Sequence, residues 1–296
     1  MTVIRSVGVL GCGLMGSGIA QAAAMAGYQV RVRDTQSLAL EKGHRSIDES
    51  LAKMVAKGKL QPAEREAALS RISLVLELEA LSDVDLVIEA VTEDLELKNR
   101  LWTALDLIAQ PRAIFASNTS SLSIVSMAAV TGRPDRFLGL HFFSPVPLMP
   151  LVEVVRSITT SESTFETGMD FARSLGKEAI AARDTPGFVV NLLLVPYLLD
   201  AVRAAERGVA SVADIDTGMK LGCGYPMGPL QLIDLVGVDV ICSVGEILYR
   251  EFRETRYAPP PLLMRMNRAG WLGRKAGRGF YDYTSDPAVP VVMGLR

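Results

Sequence analysis

The stretch Val7–Ala20 constrains this chain more than any other. A short apolar run, Val7 to Leu10, breaks into Gly11, Gly13, Gly16 and Gly18, and an alanine-rich helical run, Ile19 to Ala26, follows at once. In a Gly-x-Gly-x-x-Gly spacing the first glycine takes a tight turn and the second lets the backbone approach a pyrophosphate. The third lets the helix pack closely on the strand. The free N–H groups and partial positive charge of the helix start then face the phosphates. Gly11, Cys12, Gly13, Leu14, Met15 and Gly16 are therefore the candidate phosphate turn. A second apolar run, Tyr28 to Arg33, ends in Asp34. An acid at that place, roughly 20 residues past the glycines, suits the ribose hydroxyls of NAD and repels the extra phosphate of NADP.

The same N-terminus invites a leader-peptide reading, because Arg5 precedes a long apolar stretch. Its glycines and Gln21, followed by alternating strand residues, make a poor cleaved or spanning helix. The run Gly187 to Val202 is apolar but short, and Asn191 and Pro196 interrupt it. A soluble, cytoplasmic protein with no membrane partner is expected. Lys plus Arg total 31 against 33 Asp plus Glu, a formal charge of −2. No nucleic-acid partner is expected from that balance. Cys12, Cys223 and Cys242 are too few and too scattered for a disulfide framework or a metal cage, so no metal is expected.

After Asp34 the chain predicts a long helix over about Leu38–Lys57 and a second helix opening at Pro62. Apolar strands resume at Ile72–Leu76 and Asp85–Glu89. A helix over Leu95–Ala109, a strand at Ala113–Ala116, the polar turn Ser117–Ser121, another helix and the strand Arg136–Leu140 follow. Strands alternating with helices imply an α/β fold with a doubly wound, mostly parallel sheet carrying a long helical insertion. Ligands then sit beyond the carboxyl ends of the strands, where Asp34, Glu89, Ser117–Ser121 and His141 all fall. From Asp184–Phe188 onward strand signals fade, and Phe188–Arg207, Val212–Leu221 and Pro229–Phe252 read as helices. We expect domains at 1–185 and 186–296, the second all-helical and apolar enough on several faces for a subunit interface. The glycine-rich, basic tail Gly273–Tyr283 reads as a structured loop, and residues after Ser285 as a loose end.

Two features carry chemistry. His44 lies on the exposed long helix, whereas His141 directly follows an apolar strand, where a ligand would be. The proline-rich link Phe142–Pro150 cannot be helix and turns the chain back into Leu151–Val155. There Glu153 is a carboxylate inside an apolar strand, costly to bury alone. Either it pairs with His141 across a hairpin-like return or it points outward from an edge. Paired, it fixes the imidazole tautomer and leaves the other ring nitrogen for a substrate hydroxyl. Ser120 and Asn191 are candidates to hold the reacting oxygen, with helix-start hydrogen bonding as the alternative for each. On the long helix, Ser46, Ser50, Lys53 and Lys57 share one stripe. That stripe is either a solvated face or a cationic grip for a phosphorylated ligand.

The segments Gly11–Ala20, Ser117–Leu122, His141–Pro145 and Leu151–Val155 resemble those of the L-3-hydroxyacyl-CoA dehydrogenases. Asp184–Asn191, Tyr225–Pro229 and Gly277–Tyr281 are similar as well, so the likeness spans nearly the whole chain. The length is most similar to that of bacterial 3-hydroxybutyryl-CoA dehydrogenases. The resemblance implies a Rossmann-type N-terminal domain and NAD-dependent interconversion of (S)-3-hydroxyacyl-CoA and 3-oxoacyl-CoA. It places the catalytic pair on His141 and Glu153, with Ser120 and Asn191 at the substrate oxygen. Cofactor contacts fall on the glycine turn, Asp34, Glu93, Lys98, Ser120, Ser144 and Lys275. CoA contacts fall on Ser50, Lys57 and Ser120, and a homodimer through the helical domains is implied. Two positions depart from the family pattern. Ser144 stands where asparagine is usual, and Leu192 where arginine is usual. Within the same fold, a carrier-bound hydroxyacyl group or a free hydroxy acid is the alternative substrate. A non-catalytic dinucleotide-binding or structural protein is the alternative of another class.

Overall fold

A computed structural model describes residues 3–291. Two compact units divide after Phe188.

The first unit is built on an eight-stranded sheet. Its strands are β1 (Ser6–Leu10), β2 (Gln29–Arg33), β3 (Ile72–Val75), β4 (Leu86–Glu89), β5 (Ile114–Ser117), β6 (Phe137–Phe142), β7 (Leu151–Arg156) and β8 (Glu178–Arg183), in the order β3-β2-β1-β4-β5-β6-β7-β8. Only β6 and β7 pair antiparallel. The helices are α1 (Leu14–Met25), α2 (Ser37–Ala56), α3 (Pro62–Ser70), α4 (Leu95–Ile108), α5 (Ile124–Ala128) and α6 (Glu162–Ser174). Side chains alternate across the sheet. Val9, Val32, Ile88 and Leu140 pack with α1, α2 and α6, whereas Leu10, Val87, Phe115 and Phe137 pack with α4, α5 and the fully buried Trp102. Central strands covered on both faces explain the unbroken apolar runs of β4 and β5. The strand order reverses direction at β1, so a crevice opens between the carboxyl ends of β1 and β4.

The glycine turn behaves as its spacing requires. Gly11 has φ +93°, and a Cβ on Gly16 would lie 1.9 Å from the Gly11 carbonyl oxygen, so α1 can approach β1 only with glycine there. Around Gly13 nothing lies within 4 Å of an added Cβ, leaving that backbone open to a ligand.

The second unit contains α7 (Val190–Glu206), α8 (Val212–Cys223), α9 (Pro229–Val236), α10 (Val238–Phe252) and α11 (Pro261–Arg268), with one short antiparallel ladder, β9 (Tyr281–Asp282) on β10 (Val289–Pro290). The single helix expected over Pro229–Phe252 is two helices, because Gly237 at φ +115° breaks the ladder of hydrogen bonds. Pro196 sits inside α7 without ending it. The expectation of a loose end after Ser285 is corrected for Val289–Pro290, which pair with β9. Residues 292–296 lie outside the described residues.

Two buried carboxylates organise this unit. Asp216 accepts from Leu230 N–H (2.8 Å), Gln231 N–H (3.0 Å) and the Tyr281 hydroxyl (2.8 Å), so it fixes the start of α9. Asp234 accepts from the N–H groups of Phe280 and Tyr281 (2.9 Å each) and from the Tyr283 hydroxyl (3.1 Å). Burial pushes the Asp234 carboxyl up to about 6, with nearby Asp216 adding to the rise. A Cβ on Gly279 would meet Asp234 Oδ1 at 2.0 Å. The glycine-rich tail is therefore a fitted sleeve around one carboxylate. Among the described residues no helix is long and apolar enough to cross a membrane.

Candidate functional site

Beyond the ends of β1 and β4 lies a crevice of about 510 Å³ bordered by Gly11, Gly13, Met15, Asp34, Val91 and Thr92. The start of α1 has no side-chain cap, so its backbone N–H groups remain available to an anion. Asp34 closes the far side. Its Oδ2 accepts from Cys12 N–H (2.9 Å) and its Oδ1 from Gln36 N–H (3.3 Å), which ties the carboxylate to the glycine turn. Burial, with Asp34 as the lesser cause, pushes the Cys12 thiol up to about 11, so it packs as an inert core residue. An open glycine backbone, bare helix N–H groups and an acid at the second strand end fit a dinucleotide with a free ribose 2′-hydroxyl.

A buried ion-pair network underlies the polar turn after β5. Glu89, wholly buried, receives the Lys98 ammonium (2.6 Å) and Val91 N–H (2.8 Å) on Oε1 and the Ser117 hydroxyl (2.6 Å) on Oε2. Lys98 is 1% exposed and also meets Glu93 at 3.0 Å. Glu93 in turn accepts from the Thr119 hydroxyl and from Ser120 N–H (3.1 Å). The Lys98 ammonium, expected at the cofactor, is thus engaged by two carboxylates that hold the Ser117–Ser121 turn in place.

That turn delivers Ser120 to His141. Ser120 Oγ lies 3.1 Å from His141 Nε2, and His141 Nδ1 lies 2.6 Å from Glu153 Oε2. Strand geometry fixes the pair, since His141 on β6 stands directly opposite Glu153 on β7 in the antiparallel ladder. Of the two readings of Glu153, the inward one is what the fold adopts: Glu153 is 0% exposed and His141 4%. Asn118 Oδ1 accepts from Phe142 N–H (2.9 Å), which locks the turn to the end of β6. The rings of Phe143 and Phe188 flank the imidazole at 4.6 and 5.5 Å.

Sequence reasoning missed Phe188 and Asp184. Phe188 is buried with φ +48°, a conformation disfavoured for a bulky residue and held here against the imidazole. Asp184 accepts from Ile124 N–H (2.8 Å) and Val125 N–H (2.7 Å), capping α5 just after the polar turn. The signal was present in the Asp184–Phe188 motif, whose acid, proline and glycine read only as a boundary.

The stripe of the long helix lines one wall of a separate groove of about 260 Å³. Ser46, Glu49, Ser50 and Lys53 on α2 and Lys57 just past its end are joined there by Lys59, with Pro145, Pro147 and Leu148 opposite. Three ammonium groups facing an apolar wall can hold a ligand with phosphates and a flat or aliphatic body. Ser144 is exposed beside that wall. In the second unit, Asn191 lies in the first turn of α7, and Lys275 is bound to Asp239 (2.6 Å). Among the described residues no cluster of His, Cys, Asp or Glu is placed to hold a metal ion.

The chain is similar to known proteins over nearly all of its length. The 3-hydroxyacyl-CoA dehydrogenase NAD binding domain matches residues 6–185, and the C-terminal domain of the same family matches residues 187–283. A 3-hydroxybutyryl-CoA dehydrogenase of Mycobacterium tuberculosis is 48% identical over 282 residues, 95% of this chain and 99% of that protein. The human mitochondrial hydroxyacyl-coenzyme A dehydrogenase is 46% identical over 95% of this chain and 92% of its own length. The crystal structure of (S)-3-hydroxybutyryl-CoA dehydrogenase from Ralstonia eutropha superposes with a TM-score of 0.93 at 45% identity, covering 96% of this chain and all of that one.

Proposed function

The chain belongs to the 3-hydroxyacyl-CoA dehydrogenase family and is an NAD-dependent oxidoreductase of that kind; from this we propose that it interconverts short-chain (S)-3-hydroxyacyl-CoA, such as 3-hydroxybutyryl-CoA, and 3-oxoacyl-CoA, with His141 and Glu153 as its general acid–base pair. The observation that carries the mechanism is the run Ser120 Oγ, His141 Nε2, His141 Nδ1, Glu153 Oε2, at 3.1 and 2.6 Å. With Nδ1–H donated to a buried carboxylate, the lone pair of Nε2 points toward Ser120 and the substrate hydroxyl. The glycine turn and Asp34 would hold NAD, which would supply the hydride acceptor for the hydroxyl-bearing carbon. His141 takes the hydroxyl proton, and Glu153 stabilises the imidazolium that results. Ser120 holds the reacting oxygen, a role that the family pattern also gives to Asn191. In the reverse direction the same imidazolium returns the proton to the developing alkoxide.

The glycine turn, Asp34 and Glu93 bind the cofactor, with Lys98 supporting Glu93 and with Ser120, Ser144 and Lys275 as further contacts. Ser144 offers one hydroxyl where an amide is usual in the family, and Leu192 leaves the start of α7 without the usual arginine. The three-lysine groove favours a substrate carried on CoA, through Ser50 and Lys57 (Ser120 meets the acyl end), over a free hydroxy acid, which would leave those cations idle. The assay is NADH oxidation with acetoacetyl-CoA, where turnover is expected. No turnover alongside turnover of a free or carrier-bound oxo acid rejects the CoA assignment. Lys57→Ala removes one exposed charge contact remote from the chemistry, so it should raise KM about fivefold and leave kcat within about twofold.

We further propose that a second copy of the chain covers the second unit's apolar groove. Leu193, Tyr197, Tyr225, Met227 and Leu235 line it, and Leu193 is 65% exposed. An exposed apolar surface of this kind is costly to leave in water. Sedimentation equilibrium should give twice the 31.9 kDa chain mass. A monomer at micromolar concentration would reject this assignment. The chain's place in the cytoplasm is part of the same reading.

A further inference from the structure

Lys177 stands outside every role assigned above, yet it is tied to the groove wall. It immediately precedes β8, and its ammonium donates to the carbonyl oxygens of Val146 (2.6 Å) and Met149 (2.7 Å). Those carbonyls belong to the link between β6 and β7, the same link whose Pro145, Pro147 and Leu148 form the apolar wall opposite Lys53, Lys57 and Lys59. The link is rich in proline, so few of its own N–H groups are free to tie it down. Leu148 N–H and Met149 N–H both reach Pro145 O, at 2.9 and 3.0 Å, which curls the link, and Lys177 clamps the curl from beneath. On its other side the link presses on the dinucleotide helix, where a Cβ on Gly18 would come within 2.8 Å of Val146 Cβ. Burial at this place holds the Lys177 ammonium below the ordinary lysine range.

We propose that Lys177 is a positioning residue for the nucleotide end of the CoA substrate: by pinning the Pro145–Met149 link it sets the distance between the apolar wall and the three lysines of α2 and its following loop. The inference rests on the reading of that groove as the CoA site. It does not extend to the proton-transfer pair. His141 and Glu153 are held by strand register, from Gly139–Val155 through Phe142–Val152.

The test compares acetoacetyl-CoA with the acetoacetyl thioester of N-acetylcysteamine, which lacks the nucleotide. Lys177→Met should raise KM for acetoacetyl-CoA at least about fivefold, with kcat within about twofold and KM for NADH unchanged. Lys177→Arg, which can still bridge two carbonyls, should restore KM. On the truncated thioester, Lys177→Met and wild type should have the same kcat/KM. Equal losses on both thioesters, or an unaltered KM for acetoacetyl-CoA, overturn the proposal. If Lys177→Met does not fold, Pro147→Gly loosens the same wall with the lysine intact, and it should show the same split; no split overturns the proposal. Lys57→Ala run beside these separates the two ideas. Should it alone impair the CoA thioester selectively, the groove reading stands and the clamp fails. Should neither variant distinguish the thioesters, the groove reading fails and the clamp with it.

Discussion

Replacing His141 with Ala should lower kcat for acetoacetyl-CoA reduction by about 10²–10⁴-fold, the usual contribution of a positioned acid–base group. KM for both substrates should stay within about threefold, because the imidazole acts on a proton rather than on the binding surfaces. Glu153→Gln should cost less, about 10–100-fold, since the amide oxygen can still accept from Nδ1–H and preserve the tautomer while the charge that stabilises imidazolium is gone. Combining the two should cost little more than His141→Ala alone, because a carboxylate that works through the ring has nothing to act on once the ring is removed. Stopped-flow measurement of NADH oxidation reads all three. If His141→Ala and Glu153→Gln both remain within about threefold of wild type, the acid–base assignment is wrong.

The pair was readable in sequence for a simple reason. His141 follows an apolar strand, Glu153 interrupts another, and the proline-rich link between them excludes a helix. What sequence could not decide was whether Glu153 pointed in or out, since that depends on register, and a slip of one residue reverses every side chain. The observed ladder sets His141 opposite Glu153, placing both on one face. The glycine turn and Asp34 were readable because backbone geometry demands particular residues at particular spacings.

Other elements left weaker marks. β8, Glu178–Arg183, has only Ala182 buried and joins the sheet at its edge, so it lacks the apolar run of a central strand. The break between α9 and α10 hides in a continuous helical pattern. One glycine inside such a pattern costs only about 1 kcal/mol, and its φ of +115° is a property of the fold. Asp216 and Asp234 look like ordinary surface acids on helices. Their value lies in partners 14 to 65 residues away, such as Leu230 and Tyr281. Lys98 is a similar case. Sequence shows a lysine one helical turn past Glu93, without showing that its ammonium is enclosed by Glu89 and Glu93.

That enclosure makes Lys98→Met the variant with the largest expected effect on stability. Glu89 is 0% exposed, and without Lys98 it keeps only the Val91 N–H and the Ser117 hydroxyl, with the Glu93 carboxylate nearby and no cation between them. Breaking a buried pair by removing one member typically costs about 3–5 kcal/mol, because an uncompensated charge stays behind. For a unit of this size that corresponds to a fall in Tm on the order of 10 °C. Glu89→Gln/Lys98→Met removes the stranded charge as well and should recover most of the loss, a coupling that a thermal melt of the four-member cycle measures directly. The cycle also tells apart two uses of the lysine. If Lys98 acts by holding Glu93, and through it Thr119 and Ser120, KM for NADH should rise in the single variant and fall back as stability returns. If the ammonium itself binds the cofactor, KM for NADH should remain high in the double variant although the fold has recovered. The short contacts to two carboxylates favour the first outcome, and a single variant destabilised by less than about 1 kcal/mol would show that the buried pair has been misread.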